Sequence, residues 1–225
     1  MKKNNYIIDG LRDYQQECLE LVNSKIKGSY MICLPTGAGK TIILSRTALH
    51  GRPHYRTLVL AHREELLMQL ANGFIGAGVS VEVDQGNNRL TGKTDIVVSS
   101  VQSMVKRKEN YDCYDFYTII IDEAHRAAAR SYREIISYFN TRLNFYYTAT
   151  PTRLDKLGYS DFIDEVLYEK DIKFMVDNGY LCDIDCERAE KHLKMSVVKY
   201  LNGSATAKLN VWLIVIYLLR GMTII

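Results

Sequence analysis

The 225-residue chain has little charge of either sign to spare. Its 29 Lys and Arg residues nearly balance 26 Asp and Glu, a net charge of +3. The whole chain is only mildly basic, and charge alone does not argue for a nucleic-acid partner. The five cysteines form an odd set without paired spacing, so no disulfide framework is implied. Cys182 and Cys186, with His192 nearby, lack the second pair that a structural zinc site requires. No long hydrophobic run occurs. The longest apolar stretch, residues 211–219, is far short of the ~20 residues that span a bilayer. No internal repeat and no low-complexity tract is present. Met1-Lys2-Lys3-Asn4-Asn5 leads into no apolar core of the signal-peptide kind, and a cytoplasmic location is expected. Hydrophobic content of 47% with 24% charged residues is ordinary for a globular chain.

Against this plain background stand three ordered segments. Leu34-Pro35-Thr36-Gly37-Ala38-Gly39-Lys40-Thr41 follows the short apolar run Tyr30-Met31-Ile32-Cys33. The pattern is strand, Gly-rich turn, helix start. Gly37 and Gly39 let the backbone approach closely and turn its N–H groups inward. Those groups and the helix N-terminus bind phosphate oxygens. Lys40 adds a charge for the β- and γ-phosphates, and the Thr41 hydroxyl is placed to ligate Mg2+. Thr36 and Ala38 complete the cradle.

The second segment is Ile119-Ile120-Ile121-Asp122-Glu123-Ala124-His125, two acids at the end of a β-branched strand. Strand ends of this kind are where open α/β sheets bind ligands. Phosphoryl transfer to water needs charge neutralisation and an oriented water. Asp122 is the expected partner of Mg2+, and Glu123 the expected group that orients or deprotonates the water. Two adjacent acids there are also what a solvated strand end would show; the cradle upstream decides between the two. The third segment, Thr148-Ala149-Thr150-Pro151, offers two hydroxyls for coupling.

Taken together, these segments resemble motifs I, II and III of superfamily 2 helicases and translocases of the DEAH type. Three further segments are similar. Leu11-Arg12-Asp13-Tyr14-Gln15 resembles the Q-motif, which implies that Gln15, and less directly Arg12, reads the adenine edge. An amide with one donor and one acceptor fits that task. Leu60-Ala61-His62-Arg63-Glu64-Glu65-Leu66, with Gln69, resembles motif Ia, which places Arg63 on a nucleic-acid phosphate. Residues 95–102 resemble the strand and turn that also touch nucleic acid, implying contacts from Ser99, Ser100 and Gln102. The resemblance further implies that His125, Thr148 and Thr150 couple the γ-phosphate site to the nucleic-acid side. It covers residues 6–190 and is nearest to the DNA-directed branch with type III restriction motor subunits and phage and repair helicases.

Alternating strands (30–34, 57–61, 79–83, 95–99, 117–121, 143–148) and helices (11–26, 40–49, 63–76, 100–107, 126–139) predict an α/β fold. Its form is a mainly parallel sheet sandwiched by helices. With the motifs, that is a RecA-like P-loop NTPase domain. Residues 151–165 read as a polar exit, and Tyr168 to Tyr180 as one short helix closed by Gly179. Residues 1–168 are expected to form the motor domain, 169–190 an interdomain segment, and 191–225 the incomplete or out-of-frame start of a second domain. No Gln-x-x-Gly-Arg-x-x-Arg pattern of the second motor half occurs.

The expected activity is ATP hydrolysis coupled to DNA, with ATP and Mg2+ bound, RNA being the less expected track. A second motor domain or a restriction or repair subunit would act in trans, and no membrane is involved. The competing reading is a nucleotide- and DNA-binding module with little catalysis. Lys106-Arg107-Lys108 fits a solvated turn as well as a phosphate contact.

Overall fold

The computed structural model describes residues 10–50, 55–62, 64–84, 94–124, 130–149 and 163–182. Seven strands form one parallel sheet: β1 Gly28–Cys33, β2 Thr57–Ala61, β3 Val81–Asp84, β4 Ile96–Ser100, β5 Thr118–Ile121, β6 Leu143–Thr148 and β7 Glu165–Glu169. Their spatial order is β3-β4-β2-β5-β6-β1-β7. Among the described residues six α-helices accompany them: α1 Asp13–Asn23, α2 Lys40–Thr47, α3 Glu64–Gly76, α4 Val101–Arg107, α5 Arg130–Tyr138 and α6 Ile172–Asp177.

Parallel strands covered on both faces bury every side chain, so their sequences run continuously apolar. The two-residue period of a strand then deals its residues to opposite faces. Ile32, Val59, Ile120 and Tyr147 pack on one face with Val22 of α1, Leu44 of α2, Phe74 of α3 and Met175 of α6. Met31, Leu58, Ile119 and Tyr146 pack on the other with Met104 of α4 and Ile135 of α5. The predicted α/β sandwich is therefore the observed one, and its sheet is wholly parallel. One buried polar contact crosses the first face: the Thr47 and Tyr147 hydroxyls lie 2.6 Å apart.

The structure corrects the sequence reading past residue 163. Glu165–Glu169 is a seventh strand paired to β1, and the helix starts only at Ile172. Asp171 caps it, accepting from the Phe174 N–H at 2.7 Å, and Gly179 closes it at φ +71°. A helix running from Tyr168 would have cost β7 its pairing with Ile32 and Cys33. α6 lies within the stretch 169–190 set apart above as an interdomain segment, and its Met175 is fully buried in the core of the sheet domain.

Contacts divide the chain into residues 1–181 and 182–225. Of the second unit only the exposed Cys182 is described. The apolar stretch 211–219 and the pair Cys186 and His192 lie outside the described residues. Among the described residues no helix is long and apolar enough to cross a membrane.

Candidate nucleotide site

Strands β5, β6 and β1 are neighbours, so their carboxyl ends bring three separate chain segments to one edge of the sheet. Cys33 pairs with Thr148, and the Leu34 N–H continues that ladder to the Thr148 carbonyl at 3.0 Å. The Asp122 N–H likewise extends β5 by donating to the Leu60 carbonyl at 3.0 Å. The cradle, the acid pair and Thr148, distant in sequence, meet where an open α/β sheet binds ligands.

The cradle is shaped by two glycines in the left-handed region, Gly37 at φ +85° and Gly39 at φ +70°. Side chains rarely adopt that backbone. A Cβ at either would also press on the tip of a neighbouring side chain. A Cβ on Gly37 would lie 2.9 Å from Leu181 Cδ2, and one on Gly39 would lie 2.6 Å from Gln15 Nε2. The Ala38 N–H donates to the Pro35 carbonyl at 3.2 Å, which folds the turn on itself. Lys40 and Thr41 then open α2, where a helix leaves its first N–H groups without intrahelical acceptors. A ring of backbone donors at a helix start is an anion site.

Lys40 Nζ donates to the Leu34 carbonyl at 3.0 Å and the Pro35 carbonyl at 3.1 Å. Burial pushes its pKa below the ordinary lysine value, while the charges of Glu123 and Asp122 act to raise it. The lysine, the cradle and both acids therefore share one electrostatic site. Asp122 is 9% exposed. Glu123 stands at φ +56°, unusual for any residue with a side chain. Such backbone strain costs on the order of 1–3 kcal/mol and gathers at functional sites.

The side expected to take the base is built from α1. Gln15 is buried, and its Oε1 accepts the Arg12 N–H at 3.0 Å, reaching back to the first residue before α1. Its amide nitrogen rests against Gly39, so the residue expected to read a base also touches the cradle. Tyr14, which the motif comparison passed over, donates its hydroxyl to the Ala38 carbonyl at 2.6 Å. Arg12 is exposed, with Nη1 3.4 Å from both the Tyr14 hydroxyl and the Tyr180 carbonyl. Tyr180 and Leu181 are the other residues that motif reading left out. Their signal was the helix stop Asn178-Gly179 followed by an aromatic and an aliphatic residue.

The expected nucleic-acid residues fare unevenly. Ser99 departs from the expectation of a surface hydroxyl. It is fully buried, and its O–H is shared among the Asp84 carbonyl, the Asp84 carboxylate and the Ser100 carbonyl. β4 is covered on both faces over Ile96–Ser99, and that puts it there. Ser100 caps α4, accepting from the Ser103 N–H at 3.1 Å, and Gln102 on its first turn is exposed. In the basic run, Arg107 is ion-paired with Asp84, and Lys108 with Glu134 at 2.8 Å. Lys106 is exposed. Arg63, His125 and Thr150 lie outside the described residues.

Thr41 and Asp122 offer hydroxyl and carboxylate oxygens, the hard donors that Mg2+ takes, and Mg2+ asks few ligands of a protein that also holds phosphates. Two glycines in the left-handed region, at a helix start with a half-buried lysine, fit a polyphosphate.

Comparison with known proteins agrees with this geometry. Residues 9–153 match the family model described as the type III restriction enzyme, res subunit. The chain is 33% identical over 218 residues to the putative ATP-dependent helicase IRC3 of Saccharomyces cerevisiae, covering 88% of this chain and 32% of that protein. It spans about a third of the length of such curated relatives. The crystal structure of the Pyrococcus furiosus Hef helicase domain superposes with a TM-score of 0.56 at 24% identity, over 71% of this chain and 38% of that one. A nuclease-deletion mutant of the Type ISP restriction-modification enzyme LlaGI, in complex with a DNA substrate mimic, gives 0.58 at 20% identity, over 85% and 23%. The two structures share the fold.

Proposed function

Because the chain belongs to the family of the type III restriction enzyme res subunit and has the build of the N-terminal motor domain of a superfamily 2 helicase, we propose that it binds ATP with Mg2+ and hydrolyses the terminal phosphoanhydride in response to DNA. The observation that carries this reading is the convergence of Gly37, Gly39 and Lys40 with Asp122 and Glu123 at the carboxyl ends of β1 and β5, which flank β6.

Each residue has a task in it. The backbone donors from Gly37 to Thr41 receive the β- and γ-phosphates. Lys40 exchanges the Leu34 and Pro35 carbonyls for phosphate oxygens, which replaces neutral acceptors with charged ones. Thr41 and Asp122 would hold Mg2+, which supplies charge neutralisation across the phosphates. Glu123, turned off the strand by its left-handed backbone, orients the attacking water and takes its proton. Gln15 and Arg12 read the base. Thr148, with His125 and Thr150, passes the state of the γ-phosphate toward the nucleic-acid side. Ser100, Gln102 and Arg63 belong to that side, and the relatives described as helicases support it.

Strand separation belongs to a larger assembly. A second motor half, in the same polypeptide or in trans, would supply the arginine that is worth roughly 10³–10⁵ in rate. The residues described here would then turn over slowly by themselves.

Titration of the chain with a fluorescent ATP analogue and Mg2+ tests the reading. Saturable binding that disappears in Lys40→Ala, with the far-ultraviolet circular dichroism unchanged, is expected. Equal binding by the variant would mean that the cradle is not the nucleotide site.

A further inference from the structure

We propose that Leu181 is a positioning residue for the glycine-rich cradle, and that seating of the Tyr180-Leu181 strap against the cradle is coupled to nucleotide binding. The inference rests on the ATP-binding reading above and adds to it a segment outside the motifs.

The strap is placed by local structure. Gly179 at φ +71° ends α6, and the Tyr180 and Leu181 N–H groups both donate to the Met175 carbonyl, at 2.8 and 3.0 Å. Met175 is itself fully buried, so this turn is anchored in the core. Two contacts then tie it to the start of α1. The Tyr180 ring meets the Tyr14 ring edge-on, with centroids 4.7 Å apart, and Arg12 Nη1 lies 3.4 Å from the Tyr180 carbonyl.

Leu181 reaches the cradle itself. Its Cδ2 is 2.9 Å from the point where a Cβ on Gly37 would stand, inside the ~3.5–4.0 Å of ordinary carbon contact. The methyl group therefore takes the place of the side chain that Gly37 lacks. The next two cradle residues are met from α1. The Tyr14 hydroxyl donates to the Ala38 carbonyl at 2.6 Å, and Gln15 Nε2 is 2.6 Å from the Cβ position of Gly39. Gly37, Ala38 and Gly39 are thus each touched by a side chain from outside the turn, and the Tyr14–Tyr180 contact joins strap and helix into one clamp.

A clamp matters here because glycines give up the most conformational freedom when they are fixed. A turn already held in one shape loses less of it when an anion binds, and affinity rises accordingly. The effect is reciprocal. If the seated strap tightens nucleotide binding, bound nucleotide holds the strap in its seat by the same factor. Leu181 is also the last residue of the sheet domain, so the state of the cradle is passed to the point where the chain leaves that domain.

The Tyr180 and Leu181 amides report the seat directly, since both donate to the Met175 carbonyl. Their hydrogen exchange is followed by NMR on the full chain with Mg2+, with and without a non-hydrolysable ATP analogue. The analogue should slow both amides about fivefold or more, and Leu181→Ala should weaken analogue binding by a similar factor. In Leu181→Ala saturated with analogue, the Tyr180 amide should lose its nucleotide-dependent slowing, a change that a mere loss of stability would not produce. Leu181→Met, which keeps a methyl group for Gly37, should restore both properties. Exchange that bound analogue leaves unchanged in the wild-type chain would overturn the inference while leaving ATP binding standing, as would wild-type affinity in Leu181→Ala. The wild-type exchange needs no variant, so misfolding of Leu181→Ala would not remove the test. Failure of the wild-type chain to bind the analogue would overturn the ATP-binding reading and the inference with it.

Discussion

The Tyr14 hydroxyl donates to the Ala38 carbonyl at 2.6 Å, tying the first helix to the glycine-rich cradle. In a trans peptide the carbonyl and the next N–H point in opposite directions. Holding the Ala38 carbonyl toward α1 therefore turns the Gly39 N–H away from α1. A backbone donor in the cradle is aimed by a tyrosine from another element. Tyr14 is 2% exposed, so no water can take over its role cheaply.

Tyr14→Phe removes that bond and keeps the ring. The buried carbonyl loses its partner, which costs about 1–3 kcal/mol of stability. Nucleotide affinity should fall as well, about tenfold if ~1.4 kcal/mol of the loss reaches the site. Urea denaturation and nucleotide titration of the variant check both. A variant as stable and as tight-binding as wild type would show that the cradle does not depend on Tyr14.

The cysteines give a chemical test of the sheet. Burial pushes the Cys18 and Cys33 thiols up to about 12, whereas Cys182 is exposed and Cys113 half-buried. Thiolate, not thiol, reacts with iodoacetamide. At pH 8 the folded chain should be alkylated at Cys182 and more slowly at Cys113, and not at Cys18 or Cys33 until urea unfolds it. Mass spectrometry of the peptides reads this directly. Native labelling of Cys33 at the rate of Cys182 would contradict its place in β1 beneath the cradle.

Strand β7 makes a prediction about pH. The Tyr168 hydroxyl donates to Glu17 at 2.6 Å and Lys170 lies 3.4 Å from the same carboxylate, and these hold the Glu17 pKa below its ordinary value. A carboxyl whose pKa is lowered by folding stabilises the fold above its unfolded pKa, and that contribution is lost as pH falls through the folded value. Tyr168→Phe should raise the Glu17 pKa and flatten the acid limb of stability between the two values. Carbon-detected NMR titration of the side-chain carboxyl follows it. An unmoved Glu17 would mean that α1 and β7 are not joined there.

β7 is also where sequence reasoning broke down, and the cause is physical. Central strands β2 and β5 are buried on both faces, so Leu58-Val59-Leu60 and Ile119-Ile120-Ile121 announce themselves as continuous apolar runs. β7 is an edge strand. Only Leu167 and Tyr168 in it are buried, and glutamates flank them. Nothing in so short a signal separates it from the start of a helix. The glycine-rich turn after β1 and the acid pair after β5 were legible, because each follows a short apolar strand at once and stands out by residue type alone. The left-handed backbone of Glu123 was not legible, since no local residue preference requires it. Nor was the burial of Ser99, which follows from the covering of β4 on both faces, something a motif does not carry. Tyr14 and Tyr180 were visible as letters, but their roles depend on which elements α1 and α6 meet.

The central claim is that Glu123, at the end of β5, drives ATP hydrolysis in a site that also holds nucleotide. Steady-state hydrolysis of ATP by the full chain, with and without single- and double-stranded DNA and with Glu123→Gln as control, tests it most directly. The account predicts slow turnover that DNA increases and that Glu123→Gln abolishes while still binding ATP. Turnover of equal size in Glu123→Gln would contradict it.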